Sequence, residues 1–153
     1  MSTETNAVVD AGVSLTDWQA GTVGGIVAAA VMAALISAMN PPTLAAAIPA
    51  LYGLSGGVAG WVVHLSHGAV LGVAFVAVAE SDAVGAASST RLVAIGVVWG
   101  AVTWVVLAAL VMPVWLSTVG FPMAPPLPNF APPSLLWHVV YGLVVGVVAP
   151  ALR

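Results

Sequence analysis

The sequence contains no cysteine, no lysine and only two arginines among its 153 residues. Without cysteine there is no disulfide framework, no thiolate metal site and no cysteine nucleophile. Acidic residues outnumber basic ones by five to two, so the chain has no basic patch and nucleic acid is excluded as a partner. Only 5% of the residues are charged, against about 25% in a soluble domain. This scarcity of charge predicts an integral membrane protein.

The charged residues leave two long uncharged stretches, one between Asp17 and Glu80 and one between Arg91 and Arg153. A transmembrane helix needs about 20 residues, because each residue adds 1.5 Å across roughly 30 Å of hydrocarbon. Each stretch is therefore long enough for two spans. Backbone polar groups in lipid must be satisfied within the segment, so the predicted fold is an all-α bundle of four transmembrane helices. We place these helices near 18–38, 58–79, 92–112 and 133–152.

All the charges are predicted to lie on one side of the membrane. With four spans, both termini and the loop 80–91 share a side, and the residues concerned are Glu4, Asp10, Asp17, Glu80, Asp82, Arg91 and Arg153. The positive-inside rule makes that side cytoplasmic. Residues 1–17 have no Lys or Arg, unlike a secretory signal, and are read as a polar N-terminal tail. We expect a multi-pass protein of the cell membrane with both termini cytoplasmic.

The two loops on the opposite side, 39–57 and 113–133, contain no charged residue. The second loop holds seven prolines, which exclude regular helix through most of it. One interpretation is that the loops fold back onto the helix ends or rest in the headgroup region. The other is that a further subunit covers them, because exposed apolar surface marks interaction sites. In that case the expected interface anchors are Trp115, Phe121 and Phe130, since aromatic residues dominate interfaces.

Three sequence blocks recur in the same order, which predicts an internal duplication. GTVGG (21–25) matches GVVWG (96–100), VMAALI (31–36) matches VLAALV (106–111), and HLSHGAVLG (64–72) matches HVVYGLVVG (138–146). The chain is read as two two-helix repeats, 18–79 and 92–153, joined by the charged loop 80–91. Since each repeat has an even number of spans, the copies run parallel about a pseudo-twofold axis along the membrane normal.

Each predicted helix carries two glycines four residues apart. Such pairs let helix backbones approach closely in lipid, where the hydrophobic effect does not drive association. We expect these glycines to pack helices rather than to bind a ligand; they are Gly21, Gly25, Gly68, Gly72, Gly96, Gly100, Gly142 and Gly146.

Two of the matching blocks place polar aromatic side chains inside apolar helices. His64 and His138 occupy equivalent positions, and His67 corresponds to Tyr141. An imidazole can enter a membrane uncharged, but it needs a partner there. The simplest interpretation is that these four side chains form hydrogen bonds between helices or to loop carbonyls.

Three other interpretations give the histidines a function. His64 and His138 would ligate a haem b across the pseudo-twofold axis, with His67 and Tyr141 as nearby polar partners, and bis-imidazole ligation suits electron transfer. A copper or zinc site would instead use His64, His67 and His138. In a transport protein the same cluster would line a solute path.

Several chemistries are excluded by what the predicted spans lack. No Asp, Glu, Lys or Arg lies within them, which excludes a carboxylate proton relay and a voltage sensor. Ser37 and Thr103 have no acidic residue nearby to complete a nucleophilic triad. No glycine pair follows a strand or precedes a lysine, as a phosphate-binding loop requires. An enzyme is therefore not expected.

The lack of lysine, the excess of acids and the richness in Ala, Val and Gly resemble small four-span membrane proteins of haloarchaea or similar salt-adapted prokaryotes. The resemblance covers the whole chain in composition and layout, and it implies no activity. From the residues themselves we expect a non-catalytic accessory subunit of a larger membrane complex, for example a respiratory one. A haem-b-binding electron-transfer subunit and a small-solute channel or transporter are the alternatives. The expected partners are the lipid bilayer and other membrane subunits or further copies of the chain.

Overall fold

Four long apolar helices dominate the part of the chain that the structure describes, residues 14–82, 84, 85 and 87–153. In this computed structural model, each of the four is long and apolar enough to cross a membrane. No strand occurs among the described residues, so the predicted all-α four-helix bundle is confirmed and the chain is a multi-pass membrane protein. Residues 1–13 of the predicted tail, with Glu4 and Asp10, lie outside the described residues. The spans are Asp17–Met39 (α1), Gly57–Ala79 (α3), Ser89–Thr118 and Pro132–Ala151 (α6).

The third span is longer than the sequence predicts. It consists of α4 (Ser89–Thr103), a π-helical stretch (Trp104–Val111) and α5 (Met112–Thr118). Its 30 residues extend about 45 Å at 1.5 Å per residue, well beyond a hydrocarbon core of about 30 Å. The predicted end at 112 is therefore wrong, and α5 belongs to a region that was expected to be a loop.

A change in helix geometry lets the third span continue through a proline. Proline has no N–H, and its ring displaces the carbonyl four residues earlier. The helix is π-helical up to Val111, two residues before Pro113. The carbonyl of Ala109 accepts a hydrogen bond of 2.9 Å from the backbone N–H of Asn129. The residues after α5 therefore fold back and satisfy the carbonyl that Pro113 leaves without its usual partner.

The first uncharged loop is built in the same way. Thr43–Ala47 is π-helical and leads into the short helix α2 (Ile48–Ala50). The carbonyl of Ala45, four residues before Pro49, accepts a hydrogen bond of 2.9 Å from the N–H of Gly56. Leu44, Ile48 and Leu51 are buried against the bundle. This loop folds back onto the helix ends, as the first of the two interpretations expects.

Glycines bring the spans together in two antiparallel pairs, α1 with α3 and α4 with α6. A Cβ atom added to Gly21 would lie 2.8 Å from the backbone oxygen of Gly72, and one added to Gly146 would lie 2.9 Å from that of Leu92. These distances are shorter than real Cβ contacts, so only glycine fits. All eight glycines singled out in the sequence lie at such backbone contacts: Gly21, Gly25, Gly68, Gly72, Gly96, Gly100, Gly142 and Gly146.

The two helix pairs differ in register. In the first pair, Ala29 on α1 meets Gly68 on α3. The position equivalent to Ala29 in the second pair is Trp104, whose side chain is too large for such a contact. Gly142, the equivalent of Gly68, contacts α4 one turn earlier, at Gly96. The bulk of the tryptophan therefore explains why α6 is displaced by one turn along its partner.

The bundle is closed on one side and open on the other. α1 packs along both α3 and α6, with Gly24 facing Ala149, whereas α3 and α4 meet in few of the described residues. One such contact joins Phe75 and Trp99, with ring centroids 6.4 Å apart. A pseudo-twofold axis would make the α1–α6 and α3–α4 contacts equivalent. The parallel-repeat prediction is therefore not confirmed.

The charged end of the bundle, which carries Asp17, Glu80 and Arg153, ties three helices together. Thr16 caps α1, with Gln19 accepting from its backbone N–H at 3.1 Å. Arg153 donates to Asp17 at 3.3 Å and also to Glu80. Burial lowers the pKa of Arg153, but the hydrogen bonds to Glu80 and Asp17 raise it more, so the pKa lies above its ordinary value. Exposed ion pairs of this kind contribute about 0–1 kcal/mol to the free energy of unfolding. Their main effect is therefore to position the helix ends.

Candidate functional site

A cavity of about 420 Å³ lies between the four spans, on the open side of the bundle. α3 and the third span form two of its walls, and Ile48 and Leu51 of the first uncharged loop also line it. Val70, which is 69% exposed on α3, lies at its rim, so the cavity reaches the lipid-facing surface. The lining is mostly apolar, and its main polar side chains are Thr43, Tyr52, His64, His67, Thr103, Ser134, His138 and Tyr141.

The two histidines of α3 have different surroundings. His67 Nε2 is 2.7 Å from the hydroxyl of Tyr52, whose ring in turn packs edge-on against Trp115 at 5.5 Å. His64 is only 8% exposed, and its Nε2 atom is buried without a hydrogen-bond partner in the described part of the chain. His67 is thus held at the uncharged end of the bundle (39–57 and 113–133), whereas His64 has an unused polar atom deeper inside.

The two polar side chains predicted on α6 are both hydrogen-bonded to backbone. His138 Nδ1 lies 2.7 Å from the carbonyl oxygen of Ser134, one turn earlier, and this contact orients the imidazole ring. Tyr141 donates a hydrogen bond of 2.8 Å to the carbonyl of Gly68 on α3. Because α3 and α6 otherwise have few contacts, Tyr141 links two spans that packing alone leaves apart.

Replacing Tyr141 with phenylalanine should destabilise the bundle by about 0.6 kcal/mol, the typical contribution of an interhelical hydrogen bond in lipid. The substitution keeps the buried ring and removes only the donor to Gly68. Detergent-titrated unfolding, followed by circular dichroism, measures the free energy of unfolding. Tyr52→Phe is the comparison, because it removes a hydroxyl whose hydrogen bond to His67 lies at the uncharged end and joins no two spans. A larger loss of unfolding free energy for Tyr52→Phe than for Tyr141→Phe would contradict the role of Tyr141 in joining α3 and α6.

The three aromatic anchors expected from the sequence all lie at the uncharged end, but they differ in exposure. Phe130 is 53% exposed and packs one face against Trp104 with ring centroids 5.5 Å apart. Trp115 is 39% exposed and also lines the cavity, which the sequence did not indicate. Phe121 is half-buried. Each therefore presents part of its surface outward while the rest packs within the molecule.

The positions of the three histidines test the copper or zinc interpretation and the haem interpretation. Within the described ranges no three or more His, Cys, Asp or Glu side chains come close enough to hold a metal ion. The copper or zinc site of His64, His67 and His138 is therefore not formed. His64 and His138 do line one cavity from two helices, as a haem ligated by both would require. The arginines that could neutralise haem carboxylates, Arg91 and Arg153, belong to the charged end, away from this cavity.

Some lining residues could not be identified from the sequence. Tyr52 lies in an apolar loop, and only the fold-back of that loop brings it to His67, fifteen residues away along the chain. In the sequence Thr103 has no evident hydrogen-bond partner. In the structure its hydroxyl donates a hydrogen bond of 3.0 Å to the carbonyl of Gly100 on the same helix. The one signal available was that Tyr52 is the single polar aromatic residue of the first uncharged loop.

Comparison of the chain with protein-family models, with curated proteins and with solved structures gave no match.

Proposed function

We propose that this membrane protein is a non-catalytic accessory subunit of a larger membrane assembly, with both termini on the cytoplasmic side. The observation that supports this role is the length of the third span. At about 45 Å it exceeds the hydrocarbon core, so the apolar residues around α5 extend to the headgroup region or beyond it. Large apolar side chains are exposed there, among them Tyr52, Leu54, Val119, Met123, Leu127 and Phe130.

An apolar surface at that depth is better covered by protein than by water. Single exposed hydrophobic residues are ordinary, but a contiguous apolar patch marks an interaction site. No charged side chain accompanies this one, since the loops 39–57 and 113–133 contain none. The partner surface is therefore expected to be apolar and uncharged too, as in another membrane subunit or a second copy of this chain.

The chemistry available to the protein also favours a binding role. The charged residues of the described part lie in helix ends or the connecting loop at the charged end, so no described Asp, Glu, Lys or Arg faces the interior of the spans. A solute path from the cavity towards that end would meet the contact between Phe75 and Trp99. Neither observation supports catalysis or transport as the main role.

Replacing Trp115, Phe121 and Phe130 together with alanine should release the partner while leaving the helical bundle folded. Aromatic side chains contribute most of the binding energy of a typical interface, commonly about 2 kcal/mol or more each at the dominant positions. The measurement is the mass of the complex extracted from native membranes in a mild detergent, with circular dichroism as the check on helix content.

The matched control replaces Val62, Val98 and Val147 with alanine, because these three are at least half exposed on the spans themselves. They contact lipid rather than the uncharged end, so the mass of the complex should not change. If the wild-type protein is extracted as a monomer, or if both triple variants lose the partner equally, the accessory role is contradicted.

A further inference from the structure

The accessory role leaves one buried atom without an explanation. His64 Nε2 is enclosed in an apolar environment and has no hydrogen-bond partner among the residues described. Buried polar atoms are almost always paired, because an unpaired one loses its bonds to water and gains nothing in return. Tyr141 donates to the carbonyl of Gly68 and His67 pairs with Tyr52, and neither is hydrogen-bonded to His64 Nε2. No described group supplies the missing partner, whereas a molecule bound in the cavity that His64 lines would do so.

We propose that the cavity binds an uncharged, lipid-soluble quinone. One of its oxygen atoms accepts a hydrogen bond from Nε2–H of His64, and in the reduced quinol the opposite hydroxyl donates to the unprotonated Nε2 of His138. This site borders the uncharged end, which contributes Tyr52 and Trp115 to its lining, and it goes beyond the accessory role. His138 is suited to it because its Nδ1–H donates to the Ser134 carbonyl, which leaves Nε2 unprotonated and able to accept a hydrogen bond. His64 and His138 lie on different helices, α3 and α6, and both line one cavity.

The size and lining of the cavity fit such a molecule. A volume of about 420 Å³ lies within the range of about 300–1,000 Å³ typical of small-molecule sites. Trp115, Trp137 and Tyr141 supply aromatic surface for a flat ring. No charged side chain of the described residues lines the cavity, so an ionic ligand would be buried there without a counter-charge from them.

Imidazole can serve both redox forms of a quinone. A neutral histidine has one nitrogen that donates and one that accepts, and its tautomer decides which is which. A quinone carbonyl accepts a hydrogen bond from Nε2–H, whereas a quinol hydroxyl donates to an unprotonated Nε2. The opening between α3 and the third span, with Val70 at its rim, gives entry directly from the bilayer. The ligand therefore need not cross water to reach the histidines.

The test uses the full-length protein in lipid nanodiscs, titrated with the naphthoquinone menadione. Trp115 and Trp137 line the cavity, so binding should quench tryptophan fluorescence along a saturable curve. His64→Leu removes one hydrogen bond and should weaken binding about tenfold. Ala108→Phe fills the cavity and should abolish the saturable component. Val62→Leu, on the exposed face of α3, is the control and should bind like the wild type.

Circular dichroism of each variant shows whether a loss of binding reflects unfolding. Non-saturable quenching of the wild type, as from partition into lipid, would overturn the proposal. So would equal affinities for His64→Leu and Val62→Leu when both variants are folded. A Soret band in gently purified wild-type protein that disappears in both His64→Leu and His138→Leu would assign the cavity to haem instead. Because none of these measurements involves the partner, failure here is distinct from failure of the accessory role.

Discussion

Gly25→Ala should destabilise the bundle by about 1–3 kcal/mol, although alanine favours helix over glycine by about 1 kcal/mol. The added methyl group would lie 2.9 Å from the Cα atom of Gly72 and would also meet the backbone oxygen of Gly68. Both are main-chain atoms of a helix, which cannot rotate away as a side chain can. The helices α1 and α3 would have to separate, and dispersion attraction falls steeply with distance.

A matched control uses the same substitution at a glycine without neighbours. Gly57 is the first residue of α3, and a Cβ atom there would meet nothing within 4 Å. Gly57→Ala should therefore be neutral or stabilise by up to about 1 kcal/mol. Gly142→Ala tests the second helix pair, because its methyl group would lie 2.8 Å from the backbone nitrogen of Gly100. The measurement is the free energy of unfolding of each variant in a detergent titration. If Gly25→Ala increased it, the glycines would not set the helix spacing.

Span number and position follow from the sequence because the bilayer imposes a simple length rule. Four uncharged segments of about 20 residues could only be helices once the environment was known to be lipid. The end of the third span was missed because Pro113 was read as a helix breaker. The hydrogen bond that Pro113 removes from the helix is replaced by one from the N–H of Asn129 to the carbonyl of Ala109. These residues are twenty positions apart, so no local sequence pattern reveals the contact.

The glycine contacts and the asymmetry of the bundle show where sequence patterns stop being informative. Spacing of four residues places a glycine pair on one face, and the structure brings all eight glycines to helix contacts. The same spacing could not show that α1 packs on α6 while α3 stays apart from α4. Nor could it show the one-turn difference in register between the two helix pairs, which follows from bulk because Trp104 stands where the first pair has Ala29.

The candidate site was predictable in its polar residues but not in their roles. An uncharged span with isolated histidines identifies them as unusual, whatever their partners. Only coordinates show that Tyr141 is satisfied by Gly68 while His64 Nε2 is not satisfied by any described residue. His64 and His138 are equivalent in the sequence but differ in the structure. The ring of His138 is hydrogen-bonded to Ser134 on its own helix, whereas the Nε2 atom of His64 is buried without a partner among the described residues.

Asn129→Pro should destabilise the protein by about 1–3 kcal/mol, because it removes the N–H that bonds to the carbonyl of Ala109. Ala109 is fully buried, so water cannot replace the lost donor. Asn129→Ala keeps the backbone N–H and is the matched control, and its effect should be within about 0.5 kcal/mol. The measurement is again the free energy of unfolding in a detergent titration.

A double substitution separates the lost hydrogen bond from strain in the loop. Pro113→Ala restores an N–H to the third span, and that group can bond to the Ala109 carbonyl within the helix. In the Pro113→Ala background, Asn129→Pro should therefore cost much less than in the wild type, because the carbonyl no longer depends on the loop. An equal loss in both backgrounds would attribute the penalty to the rigid proline ring next to Pro128 and would contradict the proposed pairing. A coupling of about 1 kcal/mol or more would show that the fold-back of residues 119–131 compensates for the proline in the helix.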